Sequence, residues 1–316
     1  MKHSGIFGLI ALAFLLTVVS CKKDDSGPYY KIIPLSDLEV ALPHQVNILY
    51  QVVDKAGIGV ADLTSADFVI KENGQVVGLE SQITVKQSEE VGIKVRTILL
   101  LDNSVSIDSV RADIKEAAIT LINLKPDYQE IAIMVFSSTA TLLQPLTADK
   151  QKLIDAINSI DKSTSTSSTN LYGALVAATK LPIWSEHFSM DSIRTASLIC
   201  LSDGDDTQGS MPKQTALDSL KNKRVYMLGL GQDLNITTMK QLGAYYPAKD
   251  ITKLEEVFKN IHNDIESTAN SYYWLYYQSP KRGPNTHKLQ LTIKGNSNSG
   301  SSSYIETEFS SADFID

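Results

Sequence analysis

The sequence has few of the residues that disulfide scaffolds, nucleic-acid binders and zinc enzymes require. Only Cys21 and Cys200 are cysteines, which excludes a disulfide-rich small domain. Lysines and arginines number 29 against 36 acidic residues, so the basic surface of a nucleic-acid binder is absent. None of the five histidines lies in a zinc motif such as His-Glu-x-x-His, and the sequence has no Walker-type phosphate loop. What is left is a 316-residue chain of ordinary globular composition, enough for one large or two modest domains.

The first residues form an apolar leader that is shorter than the ~20 residues of a membrane span. Residues 6–19 are apolar apart from Gly8 and Thr17, and they follow a short basic start. This pattern predicts a signal peptide over residues 1–20. Its end, Val18-Val19-Ser20-Cys21, resembles a bacterial lipobox, which implies cleavage before Cys21 and lipidation of that cysteine. An ordinary signal peptide that happens to end near a cysteine is the alternative.

The polar run over 21–28 predicts a flexible tether between the lipidated cysteine and the folded chain. Its basic-then-acidic order resembles the surface-export signal of Bacteroidetes lipoproteins. We therefore expect a cell-envelope protein anchored by lipid to the outer membrane, with periplasmic and surface orientations both open. Cys200 lies in an apolar run without a histidine nearby and is expected to be a buried small hydrophobe.

Segments at both ends of the remaining chain show strand patterns. Residues 29–92 contain near-alternation of apolar and polar positions around Tyr50, and an Asn73-Gly74 pair that favours a tight hairpin. Residues 268–316 contain an aromatic strand at 272–277 and strict alternation over 288–294. Because the second segment has too few strands to be stable alone, we expect the two to pair as one β-sandwich-like module.

The middle segment, 93–267, shows the alternating strand and helix patterns of an α/β domain. Nearly continuous apolar runs, such as Ile98–Leu101 and Ser197–Leu201, suit parallel strands that are buried on both faces. Amphipathic helical patterns alternate with these runs. The segment is therefore predicted to fold as a doubly wound, mainly parallel sheet inserted into the β module.

Polar residues follow the apolar runs where ligand sites form in such sheets, at the carboxyl ends of the strands. The acids and hydroxyls at these positions would make an all-oxygen metal site, suited to Mg²⁺ or else to Mn²⁺ or Ca²⁺. They lie in three loops, at residues 102–106, 163–171 and 202–206.

Within these loops, five residues resemble the metal-ion-dependent adhesion site of von Willebrand factor type A domains, which reads Asp-x-Ser-x-Ser, a distant Thr, and an Asp followed by Gly. The resemblance implies that the metal ligands are Asp102, Ser104, Ser106, Thr169 and Asp203. The resemblance covers about 95–265, and the flanks resemble the extra β segments of bacterial members. It implies that a carboxylate from a protein partner completes the metal's coordination. The first helix is expected to begin just after Ser106, so that its positive end also faces this anion.

Simpler interpretations exist for each motif. Asp102 and Ser104 suit a helix N-cap, and Asp203-Gly204 suits a turn. All of these simpler interpretations would have to hold together at one edge of the sheet, so we favour a metal site. A phosphatase-like hydrolase with Asp102 as nucleophile is the enzyme alternative, but Ser104 replaces the second acid that such enzymes carry. A structural surface protein with an unused site is the other. The chain is thus expected to be an adhesion or binding protein without catalytic residues.

Overall fold

The structure, a computed structural model, describes residues 27–87, 92–161, 164–185, 187–189, 192–229, 234–247 and 251–315. The predicted signal peptide, Cys21 and most of the tether lie outside these residues. No helix within the described ranges combines the length and the apolar character that crossing a bilayer requires.

The described elements alternate between strands and helices in the middle of the chain and are strands at both ends. The strands are β1 (Lys31–Pro34), β2 (Glu39–Ala41), β3 (Gln45–Val53), β4 (Phe68–Glu72), β5 (Gln75–Val76), β6 (Thr84–Lys86), β7 (Gly92–Asp102), β8 (Gln129–Phe136), β9 (Ala140–Thr147), β10 (His187–Phe188), β11 (Ser192–Ser202), β12 (Arg224–Gly229), β13 (Ala244–Pro247), β14 (Tyr272–Gln278), β15 (Thr286–Ile293) and β16 (Tyr304–Ser310). The helices are α1 (Arg111–Leu124), α2 (Lys150–Asn158), α3 (Leu171–Thr179), α4 (Lys213–Leu220), α5 (Ile236–Leu242) and α6 (Ile251–Asn270).

The middle segment forms one sheet in the order β13-β12-β11-β7-β8-β9, with β10 paired to β11. Strands β13, β12, β11, β7 and β8 are parallel, while β9 and β10 are antiparallel. Helices α1, α2 and α6 pack on one face and α3, α4 and α5 on the other. Along β7, Leu99 and Leu101 face the first group while Ile98 and Leu100 face the second. This two-sided burial explains the continuous apolar run, and the predicted doubly wound sheet is confirmed.

The terminal strands form two further sheets that face each other across a shared apolar core. In one sheet β14 pairs with β3, and in the other β15 pairs with β4, so the two ends of the chain meet as predicted. Tyr50 and Tyr273 stack in the core between the sheets. Asn73 and Gly74 take φ values of 50° and 82°, the left-handed backbone of a tight hairpin between β4 and β5.

A small apolar joint connects this sandwich to the amino-terminal ends of the central strands. Leu49, Tyr272 and Trp274 pack on Ile193 at the start of β11. The Trp274 Nε1–H also donates to the Ser189 carbonyl at 3.0 Å. The sandwich therefore lies at the end of the central sheet opposite to Asp102. The domain boundaries at 92/93 and 267/268 stay predictions, since β7 begins at residue 92 and α6 runs to residue 270.

Candidate metal centre

The predicted site lies where two adjacent parallel strands end. Asp102 is the last residue of β7, and Asp203 directly follows β11. The two strands pair in register up to Leu101 and Leu201, so Asp102 stands beside Ser202. The strand order thus brings together two acids that are 101 positions apart in the sequence.

A continuous chain of side-chain oxygens joins the two carboxylates. The Ser104 hydroxyl donates to Asp102 Oδ1 at 2.6 Å and lies 2.9 Å from the Ser106 hydroxyl. The Ser106 hydroxyl in turn donates to Asp203 Oδ2 at 2.8 Å. Four of the five predicted ligands are therefore in direct contact.

The site is buried at its base and open at its top. Asp102 and Ser104 are 2% and 1% exposed, whereas Ser106 is exposed and Asp203 is half-buried. Burial raises the pKa of Asp102 to about 6, against hydrogen bonds from Ser104 and Ser202 that lower it, and the charge of Asp203 raises it further. The pair consequently carries a negative charge that is costly in a buried place, and a cation at the open top would offset that cost.

The helix-cap interpretation of Asp102 and Ser104 does not match the geometry. Ser104 precedes a 3-10 turn over Val105–Val110, but its side chain makes no capping hydrogen bond there. Its hydroxyl and its backbone N–H both donate to Asp102 instead. The expectation that the first helix begins just after Ser106 is wrong for the α-helix, which begins at Arg111. The α-helical dipole therefore starts about one turn further along the chain than expected.

Thr169, the fifth predicted ligand, is held at the same edge by its backbone. It is 2% exposed and lies two residues before Leu171, where α3 begins. Its N–H donates to the Thr207 hydroxyl at 2.8 Å, and its carbonyl accepts from the N–H groups of Thr207 and Gln208. These bonds fasten Thr169 to the loop that begins at Asp203. In the described part of the chain, its hydroxyl makes no hydrogen bond to the other four predicted ligands.

Two residues that support the site were not predicted from the sequence. The buried Ser202 hydroxyl donates to Asp102 Oδ2 at 2.8 Å and accepts from the Gly204 N–H at 3.1 Å, linking the two acidic loops. Arg111 donates to the Ser104 carbonyl and to the Ser165 hydroxyl, and also pairs with Asp108. Aligning β7 with β11 at their last residues would have identified Ser202, but no local pattern marks Arg111.

The next two acids in this loop, Asp205 and Asp206, make hydrogen bonds of their own. Asp206 accepts from the Tyr172 N–H at 2.9 Å and from the Gly209 N–H at 2.8 Å, so it caps the first turn of α3. Asp205 accepts from the Asn235 side-chain amide at 3.0 Å. Both carboxylates therefore have structural roles within the loop.

The donor set suits a hard divalent cation. It offers two carboxylates and two neutral hydroxyls, all oxygens, as Mg²⁺ prefers. Among the described residues there is no cluster of three or more His, Cys, Asp or Glu side chains, so a site rich in charged ligands is not found there. The oxygens that hydrogen-bond to one another here are the same groups that would coordinate a bound cation.

Sequence comparison adds an independent finding to this geometry. Residues 97–205 match the family model described as von Willebrand factor type A domain. The chain carries a von Willebrand factor type A domain. The matched segment begins within β7 and ends just beyond Asp203, so it includes all five predicted ligands. Domains of this type generally mediate protein–protein interactions, and this broad role is what the match supports.

Solved structures with detectable similarity to this chain include other proteins with the von Willebrand factor type A fold. BatB from Bacteroides thetaiotaomicron is 20% identical, covers 56% of this chain and 100% of its own, and has a TM-score of 0.47. A von Willebrand factor type A protein from Catenulispora acidiphila is 13% identical, with coverages of 90% and 74% and a TM-score of 0.48. Mussel proximal thread matrix protein 1, described with a zinc-occupied MIDAS motif, is 16% identical, with coverages of 56% and 49% and a TM-score of 0.45. No curated protein matches the sequence.

Proposed function

We propose that this protein is a lipid-anchored binding or adhesion protein of the cell envelope. Its von Willebrand factor type A domain holds a divalent cation, Mg²⁺ or else Mn²⁺ or Ca²⁺, through Asp102, Ser104, Ser106, Thr169 and Asp203. The cation binds a carboxylate of a protein partner. Lipid on Cys21 attaches the chain to the outer membrane, and no catalytic residue takes part.

The observation that carries this proposal is the chain of oxygens from Asp102 to Asp203, with contacts of 2.6, 2.9 and 2.8 Å. Such contacts place two carboxylates and two hydroxyls within reach of one ion. Their spacing comes from the adjacent strands β7 and β11, so it is built into the rigid part of the fold.

The same donor set explains why a partner's carboxylate is the expected ligand. Ser104, Ser106 and Thr169 contribute neutral oxygens, and Asp102 and Asp203 supply the anionic ones. A divalent ion with so few anionic ligands stays attractive to a further anion. The exposed Ser106 and the half-buried Asp203 leave that further position open toward solvent.

Metal binding is tested by isothermal titration of the chain from residue 22 onward, which retains every described strand and helix. We expect Mg²⁺ and Mn²⁺ to bind, and Asp102→Ala to abolish binding. Asp205→Asn is the matched control, because it removes one charge from the same loop without removing a predicted ligand. Absence of heat with both metals, or equal losses in the two variants, would contradict the proposal.

The partner is sought by a pull-down from envelope extracts, with Mg²⁺ or with EDTA. We expect proteins that bind the wild-type chain with Mg²⁺ and are lost both with EDTA and in Asp102→Ala. Proteins retained equally in all three samples would argue against metal-dependent recognition.

The anchor is tested separately by cell fractionation. Cys21→Ser is expected to move the protein out of the membrane fraction. Its persistence there would refute lipidation at this cysteine without affecting the metal site.

The hydrolase alternative gains no support from the geometry of the described residues. Both oxygens of Asp102 accept hydrogen bonds, from Ser104 and Ser202, and Ser104 stands where the second acid would be. Turnover of an aryl phosphate that disappears in Asp102→Asn would reverse this choice. A structural protein with an unused site would show neither metal binding nor turnover.

A further inference from the structure

A cavity lies at the end of the central sheet opposite to the metal site. It has a volume of about 480 Å³, within the range of small-molecule sites in proteins. Its floor is formed by Arg96 on β7 and Ala132 on β8. Since Arg96 precedes Asp102 by six residues, the two ends are separated by roughly 20 Å at the usual strand rise.

The walls of this cavity are mostly apolar. One wall comes from the edge strand β9, through Leu142, Pro145 and Leu146. The other comes from the connection after α3, through residues 181–183. Leu142 is 39% exposed, so apolar surface remains accessible at the mouth. Such walls suit a hydrocarbon body.

Two arginines give the cavity a cationic end. Arg96 and Arg194 both line it, on the neighbouring strands β7 and β11, and no acidic side chain is among its described lining residues. The Arg96 Nε atom is buried and has no hydrogen-bond partner in the described part of the chain. Arg96 forms an ion pair with Glu130 on β8, but the distance of 3.9 Å between Nε and Oε2 is beyond hydrogen-bond distance.

We propose that this cavity binds a small monocarboxylate with an apolar body, such as a medium-chain fatty acid. The carboxylate would accept from the half-buried guanidinium groups of Arg96 and Arg194, since the planar guanidinium matches a carboxylate in shape and charge. The hydrocarbon would lie between β9 and the connection after α3. This binding requires neither the metal site nor its partner.

The test is isothermal titration of decanoate, below its micelle-forming concentration, into the chain from residue 22 onward. Binding of decanoate and much weaker binding of decanol are expected. Arg96→Gln and Arg194→Gln should each lower the affinity for decanoate by about tenfold or more, which is the usual effect of losing a charged hydrogen bond. Arg224→Gln, which removes the same charge from β12 outside the cavity, should leave the affinity within twofold.

Several results would overturn the proposal. They are absence of decanoate binding, equal binding of decanol, or an equal loss in Arg224→Gln. Circular dichroism verifies that each variant folds. Should Arg96→Gln unfold, the half-buried Arg194→Gln and the decanol comparison still decide the question.

Discussion

Replacing Asp102 with asparagine should stabilise the protein when no metal is present. Burial raises the pKa of this carboxyl from 3.8 to about 6. Each unit of pKa corresponds to about 1.4 kcal/mol, so the charged carboxylate costs the metal-free fold about 3 kcal/mol at pH 7. Asparagine has nearly the same shape and carries no charge.

Part of this gain is lost through hydrogen bonding. Asp102 accepts from the Ser104 N–H, the Ser104 hydroxyl and the Ser202 hydroxyl, whereas asparagine offers only one acceptor oxygen. A lost hydrogen bond costs about 1 kcal/mol. We therefore expect Asp102→Asn to raise the free energy of unfolding by about 1–2 kcal/mol in EDTA at pH 7.

The pH dependence has a definite sign. Because the folded-state pKa lies above the unfolded value, the folded protein binds this proton more tightly. The cost of Asp102 is therefore complete above pH 6 and disappears as the pH falls toward 4. The stability advantage of Asp102→Asn over the wild type should shrink over the same pH range.

Urea unfolding followed by far-ultraviolet circular dichroism measures these differences. Saturating Mg²⁺ should reverse the order, because only the wild type gains binding energy from the ion. Asp205→Asn serves as the control. Asparagine keeps the oxygen that accepts from the Asn235 amide, so this variant should differ from the wild type by less than about 0.5 kcal/mol. An Asp102→Asn variant that is less stable than the wild type in EDTA at pH 7 would refute the reasoning.

Three further changes test the surroundings of the site and the core. Gly204→Ala should lower the free energy of unfolding by about 2 kcal/mol or more, because φ is +90° and the new Cβ would lie 2.6 Å from Met239 Cγ; Gly209→Ala, with φ +63° and open space, should cost less in the same urea experiment. Thr207→Val removes the acceptor of the Thr169 N–H and should weaken Mg²⁺ binding several-fold by calorimetry without altering the circular dichroism spectrum; unchanged affinity would show that this bond does not position Thr169. Leu99→Ala, at a fully buried position, should cost about 2–5 kcal/mol in urea unfolding, and a loss under 1 kcal/mol would contradict the packing.

Much of the fold was predictable because the same apolar patterns recur along the sequence and because strands buried on both faces give long apolar runs. Apolar runs such as Ile98–Leu101 recur between helical patterns, and parallel strands buried on both faces are the structure that they favour. The pairing of the chain ends followed from a physical requirement, since the strand at 272–277 needs neighbours to bury its aromatic side chains. The two acidic loops followed from the rule that sites form at the carboxyl ends of parallel strands.

The parts that were missed depend on register and on competition between hydrogen bonds. Ser202 meets Asp102 only because β7 and β11 align residue by residue, which no local pattern reveals. The α-helix begins only at Arg111, after a 3-10 segment over Val105–Val110, and no side-chain capping bond marks either start. The role of Asp206 was also missed, since its bond to the Tyr172 N–H spans 34 positions in the sequence.

The joint around Trp274 has a mechanical consequence. The central domain joins the sandwich at two points, where β7 begins at Gly92 and where β14 follows α6. Ile93 and Tyr272, next to these points, both pack in the joint, remote from Asp102. A force applied at the Asp102 edge would therefore reach the sandwich through two chain connections and through the packing of Trp274 on Ile193. Two connections also restrict rotation between the two parts more than a single linker would.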